Sequence, residues 1–323
     1  MTDDNVPSTS PVKTRDWQLI EKVLLTAQDE QRLARRWGIL FKSLGFLYLF
    51  ALLFLLTSST DTHTVSTSTD HVALVEVSGV MMSGGDADAD SIVGGLRDAF
   101  EAKHAKAVIM RINSPGGSPV QAGVIYDEMR RLRAEHPDKK LYAVISDIGA
   151  SGGYYIAAAA DEIYVDKASI VGSIGVIMNG FGAQELMRKL GVEDRTMTAG
   201  ENKAILSPFA PVSEQQKIHM QGLLDAIHGQ FIAAVKEGRG DRLKNDPAMF
   251  SGLFWTGEQA VHLGLADGLG TASYVARDIV GTDALVDYSY QRSALEKLAE
   301  RFGVKVGTAM ATRLGAVSSM QLR

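Results

Sequence analysis

Apolar residues gather into one nearly unbroken run near the N-terminus and alternate with polar ones through most of the remaining chain. The run, WGILFKSLGFLYLFALLFLLT at residues 37–57, is apolar on every helical face between residues 44 and 56. About twenty such residues suffice to cross a hydrocarbon core as a helix. Lys42 is its single charge and lies near one end, where the stem can snorkel. The polar stretch ahead of it is far longer than a signal-peptide n-region, and LLTSSTDT offers no clear A-x-A cleavage site. The pattern predicts an uncleaved anchor. Arg32, Arg35, Arg36 and Lys42 crowd its N-terminal side, and no Lys or Arg follows until Arg97. The positive-inside rule therefore predicts residues 1–36 in the cytoplasm and residue 58 onward outside it.

Residues 58–71, SSTDTHTVSTSTDH, are rich in Ser and Thr and lack apolar periodicity, so they read as a flexible stalk. Strand-like runs follow at 72–77, 105–113, 141–146, 162–165 and 170–178. The second, AKAVIMRIN, is almost continuously apolar, as expected of a strand covered on both faces. Helical patterns separate the runs, at 89–102, 119–135, 151–160, 183–190, 213–237 and 256–263. Strands alternating with helices predict an α/β fold. TGEQ at 256–259 reads as a capping box. The end of the chain, 286–323, carries an amphipathic piece, ALEKLAERF, and then a Gly/Ala/Ser/Thr-rich segment.

Composition narrows the chemistry. The chain of 323 residues has no cysteine, which removes disulfides, zinc–thiolate sites and thiol nucleophiles. A net charge of −5 leaves no basic footprint for nucleic acid. DADAD at 86–90 lacks the Gly and the distal Glu of a calcium loop and reads as a solvated acidic loop.

Two glycine pairs raise a sharper question. In DIGASGGYYIAAAA, residues 147–160, Ser151 fits the G-x-S-x-G pattern of a nucleophile elbow, and it equally fits a helix N-cap. Gly152 and Gly153 in a first helical turn cost of order 1 kcal/mol each relative to Ala, which suits a place of close backbone approach. Only His219, His228 and His262 follow Ser151, and none lies in a loop after a strand, so a Ser-His-Asp reading lacks its base. In RINSPGGSPVQAG, residues 111–123, Ser118 and Pro119 form an N-cap and N1 pair. Gly116 and Gly117 then occupy a tight turn whose amides either bind an anion or simply turn the chain. The spacing matches neither a dinucleotide fingerprint nor a Walker loop.

Taken in order, INSPGGS, ASGGYYIAAAAD, VGSIGVIM and GENKAILSP resemble the motifs of the signal peptide peptidase A family of membrane-bound serine peptidases, in its single-copy form. The resemblance covers about residues 72–285 and takes in FWTGEQAVHLGLADGLG. It implies an α/β fold of the ClpP/crotonase type, built from repeated ββα units. It implies Ser151 as nucleophile, Lys203 as general base, and Ser173 as the serine that orients the lysine. It implies an oxyanion hole from Gly116, Gly117 and Gly152. An ordinary lysine, near 10.4, is no base at neutral pH, but desolvation disfavours the ammonium. No metal or cofactor is implied. The expected substrates are hydrophobic peptides, remnant signal peptides among them. The expected setting is a bacterial inner membrane, with the catalytic domain on its outer side. Single-copy members close a cyclic homo-oligomer, here expected to have eight subunits, in which one subunit's serine meets its neighbour's lysine. A crotonase-like acyl-CoA enzyme and a non-enzymatic membrane scaffold are the alternatives.

Overall fold

The computed structural model describes residues 68–290 without a break, together with residues 22, 25, 32–33, 35–51 and 54. Residues 35–51 are helical. Among the described residues no helix is long and apolar enough to cross a membrane. Residues 52–53 and 55–57 of the expected anchor lie outside the described residues, as do 58–67 of the expected stalk and all of 291–323 with its amphipathic piece. Residues Thr64–Gln291 form one compact unit.

That unit is a mixed α/β fold around a central sheet. Its strands are β1 (His71–Ser78), β2 (Ala105–Ser114), β3 (Lys140–Ala150), β4 (Glu162–Val165), β5 (Ile170–Gly172), β6 (Phe254–Thr256), β7 (Gly268–Leu269) and β8 (Leu285–Asp287). The order runs β6-β5-β3-β2-β1-β8, with β4 also on β3 and β7 on β4. Every pairing is parallel except β5 with β6. The longer helices are α1 (Ala89–Glu101), α2 (Pro119–Glu135), α3 (Gly152–Ala157), α4 (Gln184–Leu190), α5 (Glu214–Arg239) and α6 (Gly257–Leu263), and a short helical stretch follows over Ala272–Tyr274 and Val275–Val280. The run at 170–178 makes a strand only as far as Gly172, because Gly172 (φ +103°) and Ser173 (φ +50°) turn the chain out of the sheet. β6, β7 and β8, of two or three residues each, are too short to leave a periodic signal.

Local chemistry sets the helix starts. Ser118 Oγ accepts from Gln121 N, with Pro119 at the first helical position of α2. Thr256 and Gln259 close the expected capping box of α6. Asp88, from the acidic DADAD run, accepts from Asp90 N and Ser91 N at the start of α1. Both sheet faces are covered, which parallel strands require. Val75, Met110 and Ile145 pack under α1, α2 and α3 on one face, and Leu74, Ile109 and Val144 pack under Ala272, Val275 and Ala276 on the other.

The sheet divides along β3. Residues Tyr142–Ile145 pair with β4, and residues Ile148–Ala150 pair with β5. At the fork the buried Ser169 hydroxyl hydrogen-bonds the carbonyl oxygens of Ile145 and Ser146 and accepts from Asp166 N. Those carbonyls would otherwise lose partners where the ladder changes neighbour. The far end of β3 is thereby steered away from β4, and Ser151 follows it.

Three carboxylates brace the frame. Arg131 and Arg97 hydrogen-bond Glu128 and hold its carboxyl at about 2 against the opposing pull of burial. Burial would raise Asp161 and Asp267, but Arg133 with the Leu141 amide, and Arg239 with the Ile163 amide, outweigh it and leave both below the usual range. Arg239 is itself buried and grips both carboxylate oxygens of Asp267, at 2.7 and 3.0 Å. A carboxyl depressed in the folded state stabilises fully above its unfolded pKa of roughly 4, and that contribution is lost as pH falls toward the folded value. The midpoint of urea unfolding should therefore stay level from about pH 7 to 5 and fall steeply below about pH 4. Glu128→Gln should lower the midpoint at neutral pH and shallow the acid limb, measured by circular dichroism across that range.

Candidate active site

The strand fork delivers Ser151 to a sharp turn between β3 and α3, the strand–turn–helix setting of a nucleophile elbow. Its backbone lies at φ +52°, ψ −123°, a conformation that costs a non-glycine residue of order 1–3 kcal/mol. The turn is held by main-chain bonds: Ser151 N donates to Gly172 O at 2.8 Å, and Ser151 O accepts from Tyr154 N and Tyr155 N at 2.9 Å each. Ser151 precedes α3 without capping it, since its side chain makes no capping hydrogen bond. Among the described residues its hydroxyl remains uncommitted.

The Gly116–Gly117 turn, at the end of β2, lies directly against this elbow. A Cβ on Gly116 would come within 2.6 Å of Gly152 N and 2.7 Å of Ser151 Cβ, and a Cβ on Gly153 within 2.6 Å of Ser114 O. The glycines therefore permit the approach of two main chains. Gly116 (φ +97°) and Gly117 (φ +149°) also adopt backbone angles that L side chains rarely tolerate. Met81, from the loop after β1, clamps the turn: Met81 N donates to Gly116 O at 2.9 Å, and Ser118 N donates to Met81 O at 2.8 Å. Gly116 N is taken by Ser114 Oγ at 3.1 Å. Gly117 N and Gly152 N have no acceptor among the described residues, so two amides remain open beside the Ser151 hydroxyl.

A cavity of about 120 Å³ opens beside these groups. Its wall includes Ala122, Tyr155, Val176, Ile177, Ile227 and Phe231, and it contains no carboxylate. The Tyr155 ring packs on Phe231 with centroids 4.9 Å apart and meets Tyr126 edge-on at 5.2 Å, so an aromatic layer backs the cavity. A larger cavity of about 380 Å³ is lined in part by Arg111, Asp147 and Asp166 and does not include Ser151.

The remaining expected residues stand apart within a single chain. Ser173 is half-buried at φ +50°, one residue beyond the carbonyl that binds Ser151 N, and its own amide donates to Leu253 O at 2.8 Å. Lys203 is exposed, in a turn over residues 200–206, and does not line the Ser151 cavity. Among the described residues no hydrogen bond joins Lys203 to Ser151 or Ser173. Its turn is tied to the start of α5, where Gln216 closes a capping box with Ser213 and donates through Nε2 to Asn202 Oδ1 at 3.0 Å. The segment from Gly175 to the first half of α5 buries little of its own surface. α4 has no buried residue, and Ile177, Phe181 and Met197 are 79, 78 and 95% exposed. His228 Nε2 lies 3.0 Å from Ile174 O, bracing the segment beside the cavity, and among the described residues no hydrogen bond joins His228 to Ser151. Sequence reasoning missed Met81, which acts through its backbone and leaves no residue-type signal. It also passed over Ser114, although that serine lies inside the INSPGGS motif.

The chain is similar to known peptidases. Residues 133–282, which include Ser151, Ser173 and Lys203, match the model of peptidase family S49. A putative protease of Synechocystis sp. is 34% identical over 200 residues, 62% of this chain and 70% of the relative. A putative signal peptide peptidase SppA of Enterococcus faecium is 34% identical over 175 residues, 54% of this chain and 50% of the relative. A Brucella melitensis protein named as a Na(+)/H(+) antiporter NhaA is 48% identical over 204 residues, 62% of this chain, which spans only 28% of that relative's length. The chain belongs to peptidase family S49, the serine peptidases of the signal peptide peptidase A type.

The crossing of the two turns yields a direct expectation. Gly116→Ala places a Cβ against Gly152 N and loads a positive φ, so hydrolysis of a reporter peptide should fall by at least about a hundredfold, the scale of a lost oxyanion donor. The folded state should lose about 1–3 kcal/mol of stability relative to the wild type, read from denaturant melts.

Proposed function

We propose that this chain is a membrane-anchored serine endopeptidase that cleaves hydrophobic peptides, remnant signal peptides among them, through a Ser151–Lys203 dyad. The observation that carries the reading is the strained Ser151, its hydroxyl uncommitted beside the open amides of Gly117 and Gly152. In the proposed mechanism Ser151 Oγ attacks the peptide carbonyl carbon while neutral Lys203 Nζ takes the hydroxyl proton. The carbonyl oxygen becomes an oxyanion held by the Gly117 and Gly152 N–H groups, and Gly116 supplies the room for them to converge. Collapse breaks the C–N bond, and Lys203 passes its proton to the leaving amine. Water, deprotonated by Lys203, then attacks the acyl carbon, the ester bond to Ser151 Oγ breaks, and Lys203 returns the proton to that oxygen. Ser173 orients the lysine. The apolar side chains on the wall of the small cavity, Ala122, Val176, Ile177 and Ile227 among them, favour small or aliphatic side chains next to the scissile bond. Among the described residues the cavity lining includes no carboxylate for the acid chemistry of a crotonase-like alternative. The largely parallel sheet with helices on both faces is consistent with the ClpP/crotonase type of fold.

Lys203 lies off the cavity wall of its own chain, and an unpartnered apolar arm carries it. Both features support a ring of identical subunits, eight in the proposed form, in which Lys203 of one subunit serves Ser151 of the next. Head-to-tail contacts that close by rotation build such a ring. Burying the arm against a neighbour would also remove water from around the ammonium, the condition a lysine base needs.

Ser151→Ala and Lys203→Ala should each be inactive alone. Mixed under conditions that exchange subunits, they should regain activity, because some interfaces pair an intact serine with an intact lysine. No recovery despite demonstrated exchange would exclude the shared site. Lys203→Arg should also be inactive, since a guanidinium stays protonated, while wild-type kcat/KM should rise with pH. For topology, a reporter that works only outside the cytoplasm should be active when fused after residue 71. Activity from a cytoplasm-only reporter there would overturn the proposed orientation.

A further inference from the structure

We propose that Ser114 is a positioning residue for the oxyanion-binding turn, its hydroxyl taking the Gly116 amide out of the site so that the Gly117 amide is left as the open donor. The inference rests on reading Ser151 as nucleophile with Gly117 and Gly152 as donors to its oxyanion. Three consecutive amides pass this turn, and each has a distinct fate. Gly116 N donates to Ser114 Oγ at 3.1 Å, Ser118 N donates to Met81 O at 2.8 Å, and Gly117 N has no acceptor among the described residues. With the Gly116 carbonyl also bound by Met81 N at 2.9 Å, the turn is held at three points, of which Ser114 supplies the one that sets the peptide plane entering Gly116.

Ser114 is fully buried at the last position of β2, paired with Gly149 of β3. A buried hydroxyl in a strand is unfavourable unless it is hydrogen-bonded, and an apolar β-former would pack better there. Among the described residues, the one hydrogen bond of its hydroxyl is with the Gly116 amide of the glycine turn. Its carbonyl lies against the elbow as well, 2.6 Å from where a Gly153 Cβ would stand. One residue therefore touches both turns, the hydroxyl setting one and the carbonyl limiting the other. Without the hydroxyl, Gly116 N is a buried donor lacking a partner, a costly state that rotation of the turn relieves. That rotation swings Gly117 N from its place. The loss falls on the oxyanion and spares the bound substrate.

The test uses the full-length chain with Ser114→Ala and Ser114→Cys; the cysteine is close in size to serine, but its sulfur is a weak acceptor. Both should lower kcat by about tenfold or more while KM stays within about twofold, as expected when only the transition state is affected. A peptide aldehyde, which adds Ser151 Oγ to its carbonyl and forms an oxyanion, should bind more weakly by the same factor as the fall in kcat/KM. The matching peptide alcohol, which forms no oxyanion, should bind as it does to the wild type. Equal weakening of aldehyde and alcohol would show a merely structural role and overturn the proposal. So would wild-type kcat in both Ser114 variants when Ser151→Ala is inactive. Activity surviving in Ser151→Ala would instead overturn the nucleophile reading beneath it. Should Ser114→Ala unfold at the assay temperature, the cysteine variant carries the comparison.

Discussion

Two main-chain turns, one ending β2 and one ending β3, approach so closely that neither has room for a Cβ between them. That contact is the constraint on which the site depends. It brings Gly116 against Gly152 N and Ser151 Cβ, and it places Gly153 on the carbonyl of Ser114. The conformational cost of glycine and of a left-handed serine is borne because the surroundings leave no alternative. Gly172 O holds the serine amide, Met81 grips the glycine turn from both sides, and Ser114 accepts the remaining amide. Strain at such a place is stable only when the frame behind it is rigid.

The frame meets that need through the fork in the sheet. β3 keeps β2 on one flank throughout but exchanges β4 for β5 on the other. Ser169 hydrogen-bonds the carbonyls of Ile145 and Ser146 at the exchange, which gives both a partner where the ladder changes neighbour. Behind α3, the Tyr154 hydroxyl donates to Leu265 O at 2.8 Å, and the buried Arg239–Asp267 pair ties the end of α5 to the residues before β7. A buried ion pair of this kind contributes little net stability, yet losing one partner costs several kcal/mol, about 3–5, and that asymmetry keeps the elements in register.

The other half of the chemistry sits on a different kind of structure. The segment bearing Lys203 has turns, one short helix and exposed apolar side chains, and no core of its own. These exposed apolar side chains are, in the proposed ring, the surface that meets the neighbour. In the proposed ring the rigid half supplies the nucleophile and the oxyanion donors, while the arm carries the base to a neighbour. The strained φ of Ser173 and of Leu206, +50° and +70°, falls on the two arm motifs expected to serve that base.

The sequence by itself determined the α/β alternation, the longer helices and their caps at Ser118 and Thr256, and the grouping of Ser151 with two glycine pairs. These depend on local periodicity, capping and backbone freedom, which neighbouring residues control. It also carried the ordered motifs that point to peptidase family S49. Tertiary structure alone decided what those glycines are for, since the approach of residues 116 and 152 joins strands that only the sheet brings together. It decided that Gly116 spends its amide on Ser114 and that Gly117 and Gly152 keep theirs open, because hydrogen-bond partners depend on where carbonyls end up in space. It ended the expected strand 170–178 at Gly172, where two left-handed residues override an apolar run. It placed Lys203 away from the Ser151 cavity of its own chain, a position that side-chain type and spacing do not encode, because which surfaces meet depends on the folded shape of the whole unit.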